Sequence, residues 1–203
     1  MTAVAFLVGY LVGSIPFAYL VGALHGVDLR REGTGNVGTE NVARLVGLPW
    51  AVVTFVLDVA KAVAVLGPTA DASEPVRVAA ALGVIVGHDW PVWLRFVGGR
   101  GELVTLVGGA FLAPRATATV LGVLAVGFFW RPTRGAGKTR LAEAWFVGAL
   151  IYPVSAWLLD GGAAAVYALA ASALALTRRL QGSPLLARRG SWRARLIHDR
   201  DQP

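Results

Sequence analysis

An all-α, polytopic integral membrane bundle of about seven transmembrane helices, N-terminus outside and C-terminus cytoplasmic, is predicted by three observations. The 203 residues are 56% hydrophobic and only 15% charged, against roughly 25% charged in an ordinary soluble domain. Long apolar stretches recur along the whole chain. The basic residues gather in alternate connections between those stretches. Mean hydropathy is +0.61, in keeping with a chain that meets lipid over most of its surface.

The stretches are justified in order. A spanning helix needs about 20 mostly apolar residues. Residues 3–24 are uncharged and lack a positive start and a small-residue cleavage site, so they read as a retained helix rather than a signal peptide. Pro16 is expected to kink it. Further apolar stretches lie at 48–67, 76–94, 103–114, 116–130, 143–159 and 162–177. The fourth is short and only Pro114-Arg115 separates it from the fifth, so six spans is the alternative. With seven, one side receives Arg30, Arg31, Arg44, Arg95, Arg100, Arg131, Arg134, Lys138, Arg140, Arg178, Arg179, Arg188, Arg189, Arg193, Arg195 and Arg200, which is all of the 19 Lys and Arg except Lys61, Arg77 and Arg115. Excess Lys and Arg mark the cytoplasmic side. The +7 charge is thus topological, and no nucleic-acid partner is implied. The basic C-terminal segment is also suited to anionic lipid head groups.

Two glycine-rich loops stand out on the expected cytoplasmic face. Residues 32–41 read EGTGNVGTEN and contain G-x-G-x-x-G. The dinucleotide reading of that pattern requires a preceding strand, and here a membrane helix precedes it. Gly33, Gly35 and Gly38 still let backbone N–H groups turn toward an anion. Thr34 and Asn36 add side-chain donors, and Arg44 has a guanidinium suited to phosphate. Residues 87–102 read GHDWPVWLRFVGGRGE, where Gly98, Gly99 and Gly101 flank Arg100 and His88 lies upstream. Two convergent basic loops suggest a phosphorylated substrate. Tight turns and close helix packing are the structural alternative. Asp58 and Lys61 lie three apart on one face of the second stretch. Charges inside a bilayer are costly and often functional, although the pair also suits a purely structural role.

Other chemistries find no support. The chain has no cysteine, which removes disulfides and thiolate metal sites. His25, His88 and His198 are scattered, and no metal-ligand motif occurs. GAGKT at 135–139 lacks the earlier glycine of a P-loop, because that position is Pro132. No G-x-S-x-G nucleophile elbow is present.

GSIPFAYLVG (13–22), DLRREGTGNVGTENVARLVG (28–47), LDVAKA (57–62) and GHDWPVWLRFVGGRGE (87–102) together resemble, in order and spacing, the signatures of the bacterial acyl-phosphate-dependent glycerol-3-phosphate acyltransferases. The resemblance covers residues 5–110. It implies a single transmembrane acyltransferase-like domain over 1–178, a basic cytoplasmic tail over 179–203, and a place in the bacterial inner membrane with the active site facing the cytoplasm. It also implies transfer of a fatty acyl group from acyl phosphate to the 1-hydroxyl of glycerol 3-phosphate, without metal or other cofactor. Lysophosphatidic acid and phosphate would be the products, at an early step of phospholipid synthesis.

The implied catalytic set is Thr34, Asn36, His88 and Arg100. Gly33, Gly35, Gly38, Asn41 and Arg44 would form one phosphate wall, and Gly98, Gly99 and Gly101 the opposing one, with Asp58 and Lys61 added to the substrate-binding set. The chain departs from the family pattern at three places. The family's GGKG is GGRG here. Carboxylates, Glu40 and Glu102, enter both loops and work against dianion binding unless each pairs with a nearby cation. The family's third signature is replaced by LTRRLQGSPLLARRG (176–190), leaving Arg178 and Arg179 as substitute phosphate ligands. A family member with another acceptor, or a non-catalytic protein that binds acyl phosphate or lipid, is the alternative reading. The oligomeric state is left open.

Overall fold

The structure is a computed structural model that describes residues 1–129 and 141–181. GAGKT and most of the basic tail lie outside those residues. Among the described residues the chain forms nine α-helices and no strand, which agrees with the all-α expectation.

The first apolar stretch is two helices, α1 (Thr2–Gly13) and α2 (Phe17–Leu24). The break at Ser14, Ile15 and Pro16 has a simple cause. Pro16 carries no N–H and pushes Ile15 away from helical backbone angles; the Ile15 carbonyl accepts from Phe17 N–H at 3.2 Å and keeps a second lone pair for a partner from outside the helix. A loop and the short α3 (Thr39–Leu45) lead to α4 (Leu48–Leu66), which begins with Pro49 in its first turn, where a missing N–H costs nothing. Then follow α5 (Glu74–Asp89), α6 (Glu102–Leu112), α7 (Pro114–Phe129), α8 (Leu141–Leu159) and α9 (Gly162–Gln181).

One boundary differs clearly from the sequence expectation, and the fourth stretch is short, as expected. The stretch 76–94 stops being α-helical at Asp89, because Pro91 disfavours helix at the residue before it. Helix α6 has 11 residues, a rise of about 16 Å against a hydrocarbon core of about 30 Å, so alone it is a half-length helix. By length and apolar composition, Thr2–Leu24, Leu48–Thr69 and Gly162–Gln181 each suffice to cross a membrane. Much of the outer surface is apolar, with Leu11, Phe55, Phe128, Trp157 and Leu169 exposed.

The tightest packing is between α1 and α5. Gly9 and Gly13 face Gly83 and Gly87, and a Cβ at any of the four would collide with facing backbone: Ala80 O, Val84 O, Phe6 O and Tyr10 O respectively. The four-residue spacing puts each pair on one helix face, and small residues let two backbones touch where no hydrophobic effect separates protein from lipid. Helices α6 to α9 close around two tyrosines. Tyr167 Oη donates to Thr105 O at 2.7 Å, and Tyr152 Oη lies 2.9 Å from Thr117 Oγ1. Gly108 and Gly109 leave room for those hydroxyls. Asp160 caps α7, accepting from the N–H of Arg115 at 3.2 Å and of Ala116 at 2.8 Å.

Replacing Gly83 by Leu should destabilise the fold by about 1–3 kcal/mol through overpacking of the seam. Gly122, with open space where its Cβ would go, should accept Ala with no loss. Thermal unfolding of the two variants in detergent micelles checks the contrast, and equal behaviour would argue against the seam.

Candidate active site

The first glycine loop is built around one side chain. Asn41 is fully buried. Its Oδ1 accepts from Thr34 N–H at 3.0 Å, and its Nδ2 donates to Leu29 O and Glu32 O at 3.1 Å each. Gly33 has φ +61° and presses against Asn41 Oδ1, and Gly35 has φ +67°, a region that L side chains avoid. Gly35 N–H donates to Glu32 O at 3.0 Å, and Asn36 N–H to Thr34 Oγ1 at 3.3 Å. Three N–H groups that the sequence reading aims at an anion are thus bonded inside the loop. Nearby, Arg30 grips Asp28 through Nε (2.9 Å) and Nη2 (2.8 Å) and lies over the Tyr19 ring. That contact holds the Asp28 carboxyl below its ordinary value. Arg44 is partly exposed, 3.9 Å from Glu40.

Behind this loop sits a buried charge cluster. Lys61 Nζ lies 2.7 Å from Asp58 Oδ1, 3.0 Å from Ile15 O and 3.0 Å from His88 Nδ1. The Lys61 and Asp58 side chains are 2% and 3% exposed. The three-residue spacing on α4 makes the pair, the break before Pro16 supplies the carbonyl, and the last turn of α5 supplies the imidazole.

The second loop is fitted to His88. Gly99 N–H donates to His88 O at 3.0 Å. A Cβ on Gly99 would strike the imidazole, and one on Gly98 would strike His88 O and Pro91. Gly101, at φ +63°, packs on the carboxyl of Asp89. The loop is then tied to the end of α9. Arg178 Nε donates to Gly99 O and its Nη2 to Gly98 O, both at 2.8 Å, and Arg179 Nη2 meets Glu102 Oε1 at 2.5 Å. Burial pushes the Arg100 guanidinium below its ordinary value, while Glu102 and Glu40 raise it and Arg179 and Arg178 lower it. These five side chains from both loops and α9 therefore share one electrostatic neighbourhood.

His88, Gly98, Gly99, Asp58 and Lys61 line one small cavity together with Val37 of the first loop. Gly33, Thr34, Gly35, Asn36, Gly38 and Asn41 form the loop that carries Val37, and Arg44 stands at its outer edge. Both additional carboxylates pair with a cation, Glu40 with Arg44 and Glu102 with Arg179, so the condition set by the sequence is met. Two residues of the region escape sequence reasoning. Ser14 is fully buried with its Oγ unpartnered, and so is the Asp89 carboxyl. Ser14 had a signal, since it stands two residues before the proline that breaks the helix.

Comparison with known proteins bears on the family and the fold. The family model described as glycerol-3-phosphate acyltransferase matches residues 3–185. The chain is similar to the glycerol-3-phosphate acyltransferase of Rubrobacter xylanophilus, 36% identical over 183 residues that cover 85% of this chain and 89% of that one. It is similar also to that of Symbiobacterium thermophilum, 44% identical over 131 residues, 63% of this chain and 64% of that one. Among solved structures it resembles PlsY, an integral membrane glycerol 3-phosphate acyltransferase, in its glycerol 3-phosphate form, with a TM-score of 0.73, 27% identity and 94% of each chain covered. An all-helical bundle with paired glycine loops, matched along nearly its whole length, belongs to the glycerol-3-phosphate acyltransferase family and is an acyltransferase.

Proposed function

We propose that the protein moves a fatty acyl group from acyl phosphate to the 1-hydroxyl of glycerol 3-phosphate, releasing lysophosphatidic acid and inorganic phosphate. The observation that carries this reading is the meeting of Arg100, Arg178 and Arg179 with His88 and two glycine loops at one end of the bundle, in a chain of this family. The hydroxyl oxygen attacks the acyl carbon, the bond from that carbon to the phosphate oxygen breaks, and the proton ends on the departing phosphate. Acyl phosphate is already activated, so positioning and anion stabilisation supply most of the catalysis.

Arg100 and Arg44 are the guanidinium groups best placed at the loops to meet phosphate oxygens, with Thr34 and Asn36 beside them. Arg178 and Arg179 hold the second loop in place of the family's third signature. Asp58 and Lys61 support His88 from behind. Seven membrane crossings with the N-terminus outside put the loops on the cytoplasmic side of a bacterial membrane, which the Lys and Arg distribution supports. The acyl chain then stays in the bilayer while its phosphate meets the loops.

The direct test is phosphate release by the purified protein in lipid, given palmitoyl phosphate with and without glycerol 3-phosphate. Release that depends on glycerol 3-phosphate, with lysophosphatidic acid seen by mass spectrometry, is expected. Donor binding without such turnover would indicate another acceptor or a non-catalytic role. Arg100→Ala should cut turnover about 100-fold or more with the thermal transition retained. Glu102→Lys should raise KM for the phosphorylated substrates, because it breaks the Arg179 pair and sets two cations face to face. A lower KM would show that Glu102 only repels substrate.

A further inference from the structure

A lysine ammonium has three N–H donors and no acceptor. Lys61 Nζ is ion-paired with Asp58 Oδ1 at 2.7 Å and makes two hydrogen bonds, to Ile15 O and His88 Nδ1 at 3.0 Å each, in which the ammonium can only donate. His88 Nδ1 is therefore the accepting nitrogen, and the hydrogen of the neutral ring sits on Nε2. That nitrogen points at the bare face of Gly99, where a Cβ would collide with it. Among the described residues it has no hydrogen-bond partner.

Ser14 supplies an independent observation. It is fully buried, and its Oγ has no hydrogen-bond partner. It lines the same cavity as Asp58, Lys61, His88, Gly98 and Gly99. The cavity measures ≈ 10 Å³, about the room one water-sized atom needs. Buried hydroxyls are normally bonded, so an unpartnered one beside an unpartnered N–H marks a place for a ligand atom. The site also lies at a helix break, where irregular backbone at membrane depth is found lining binding cavities.

We infer that His88 Nε2–H and Ser14 Oγ–H are the two donors of a one-atom pocket for a negatively polarised substrate oxygen, with Lys61 as the positioning residue that fixes the imidazole tautomer. The assignment rests on the acyl-transfer reading for the identity of that oxygen. As the hydroxyl attacks, the acyl carbonyl oxygen takes up negative charge, and it returns the electron pair when the carbon–oxygen bond to phosphate breaks. His88 is then a hydrogen-bond donor and not the base. A phosphate oxygen of either substrate has the same chemistry and is the second source.

The first arm needs no turnover. The full chain is prepared in lipid nanodiscs with ¹⁵N-labelled histidine, and His88→Gln identifies the His88 signals among those of His25, His88 and His198. The expected spectrum has Nε2 protonated and Nδ1 bare, and Lys61→Met should lose that pattern. A protonated Nδ1 in the unaltered protein would overturn the inference. The second arm is Ser14→Ala, which removes one oxygen. A fall in kcat of about 100-fold at unchanged KM assigns the pocket to the carbonyl oxygen. A raised KM at unchanged kcat assigns it to a phosphate oxygen. No change in either overturns the pocket. Partial recovery in Ser14→Cys is expected for a donor, and the same loss in Ser14→Cys would reduce Ser14 to a packing role. Absent turnover in the unaltered protein would sink the acyl-transfer reading while leaving the spectroscopic arm decisive.

Discussion

The Lys61 ammonium is the point on which the rest of the site depends. It is buried in the bundle, where an uncompensated charge costs several kcal/mol. Its three partners come from three separate elements: the carboxylate of Asp58 on α4, the carbonyl of Ile15 at the α1–α2 break, and the imidazole of His88 on α5. Each element must therefore sit where it does for the charge to be tolerated. The glycine seam makes that possible. With Gly9 and Gly13 against Gly83 and Gly87, α1 and α5 approach at backbone distance, and the broken turn after Gly13 falls beside the last turn of α5.

The second constraint runs from the far end of the chain. Arg178 and Arg179, at the end of α9, hold Gly98, Gly99 and Glu102. Loop carbonyls bound by a guanidinium keep the glycines in shape without any side chain of their own. The first loop is held differently, by the single buried amide of Asn41. One loop is thus fixed locally and the other by a contact some 80 residues away. Both leave Arg100 within electrostatic reach of Arg178 and Arg179 on α9 and of Glu40 beside the first loop.

Much of this was legible because its causes are local. Apolar stretches, the break at Pro16 and the Asp58–Lys61 face pair need only nearby residues to decide them. The two loops were legible as a chemical pattern. What escaped was long-range. The spacing of Gly9 with Gly13, and of Gly83 with Gly87, is visible in the sequence, but their mutual facing across some 70 residues is not. Nothing local shows that Arg178 and Arg179 turn back to the second loop. Glu40 and Glu102 read as liabilities for the same reason. Asn41 and the loop N–H groups illustrate a different limit. A glycine-rich loop has to satisfy its own polar groups before it can offer any to a ligand, and sequence does not reveal which donors are already taken.

The account stands or falls on Lys61 and Asp58 acting as one buried unit, and a double-mutant cycle on stability tests that directly. Unfolding would be followed in lipid-containing micelles for Asp58→Asn, Lys61→Met and the double variant. Each single change should destabilise by about 3–5 kcal/mol, because it strands the other charge. The double variant should be clearly less damaged than the sum, and could equal the better single. Losses that add to within about 0.5 kcal/mol would contradict the account, since two independent charges would then occupy a place where the structure has one ion pair.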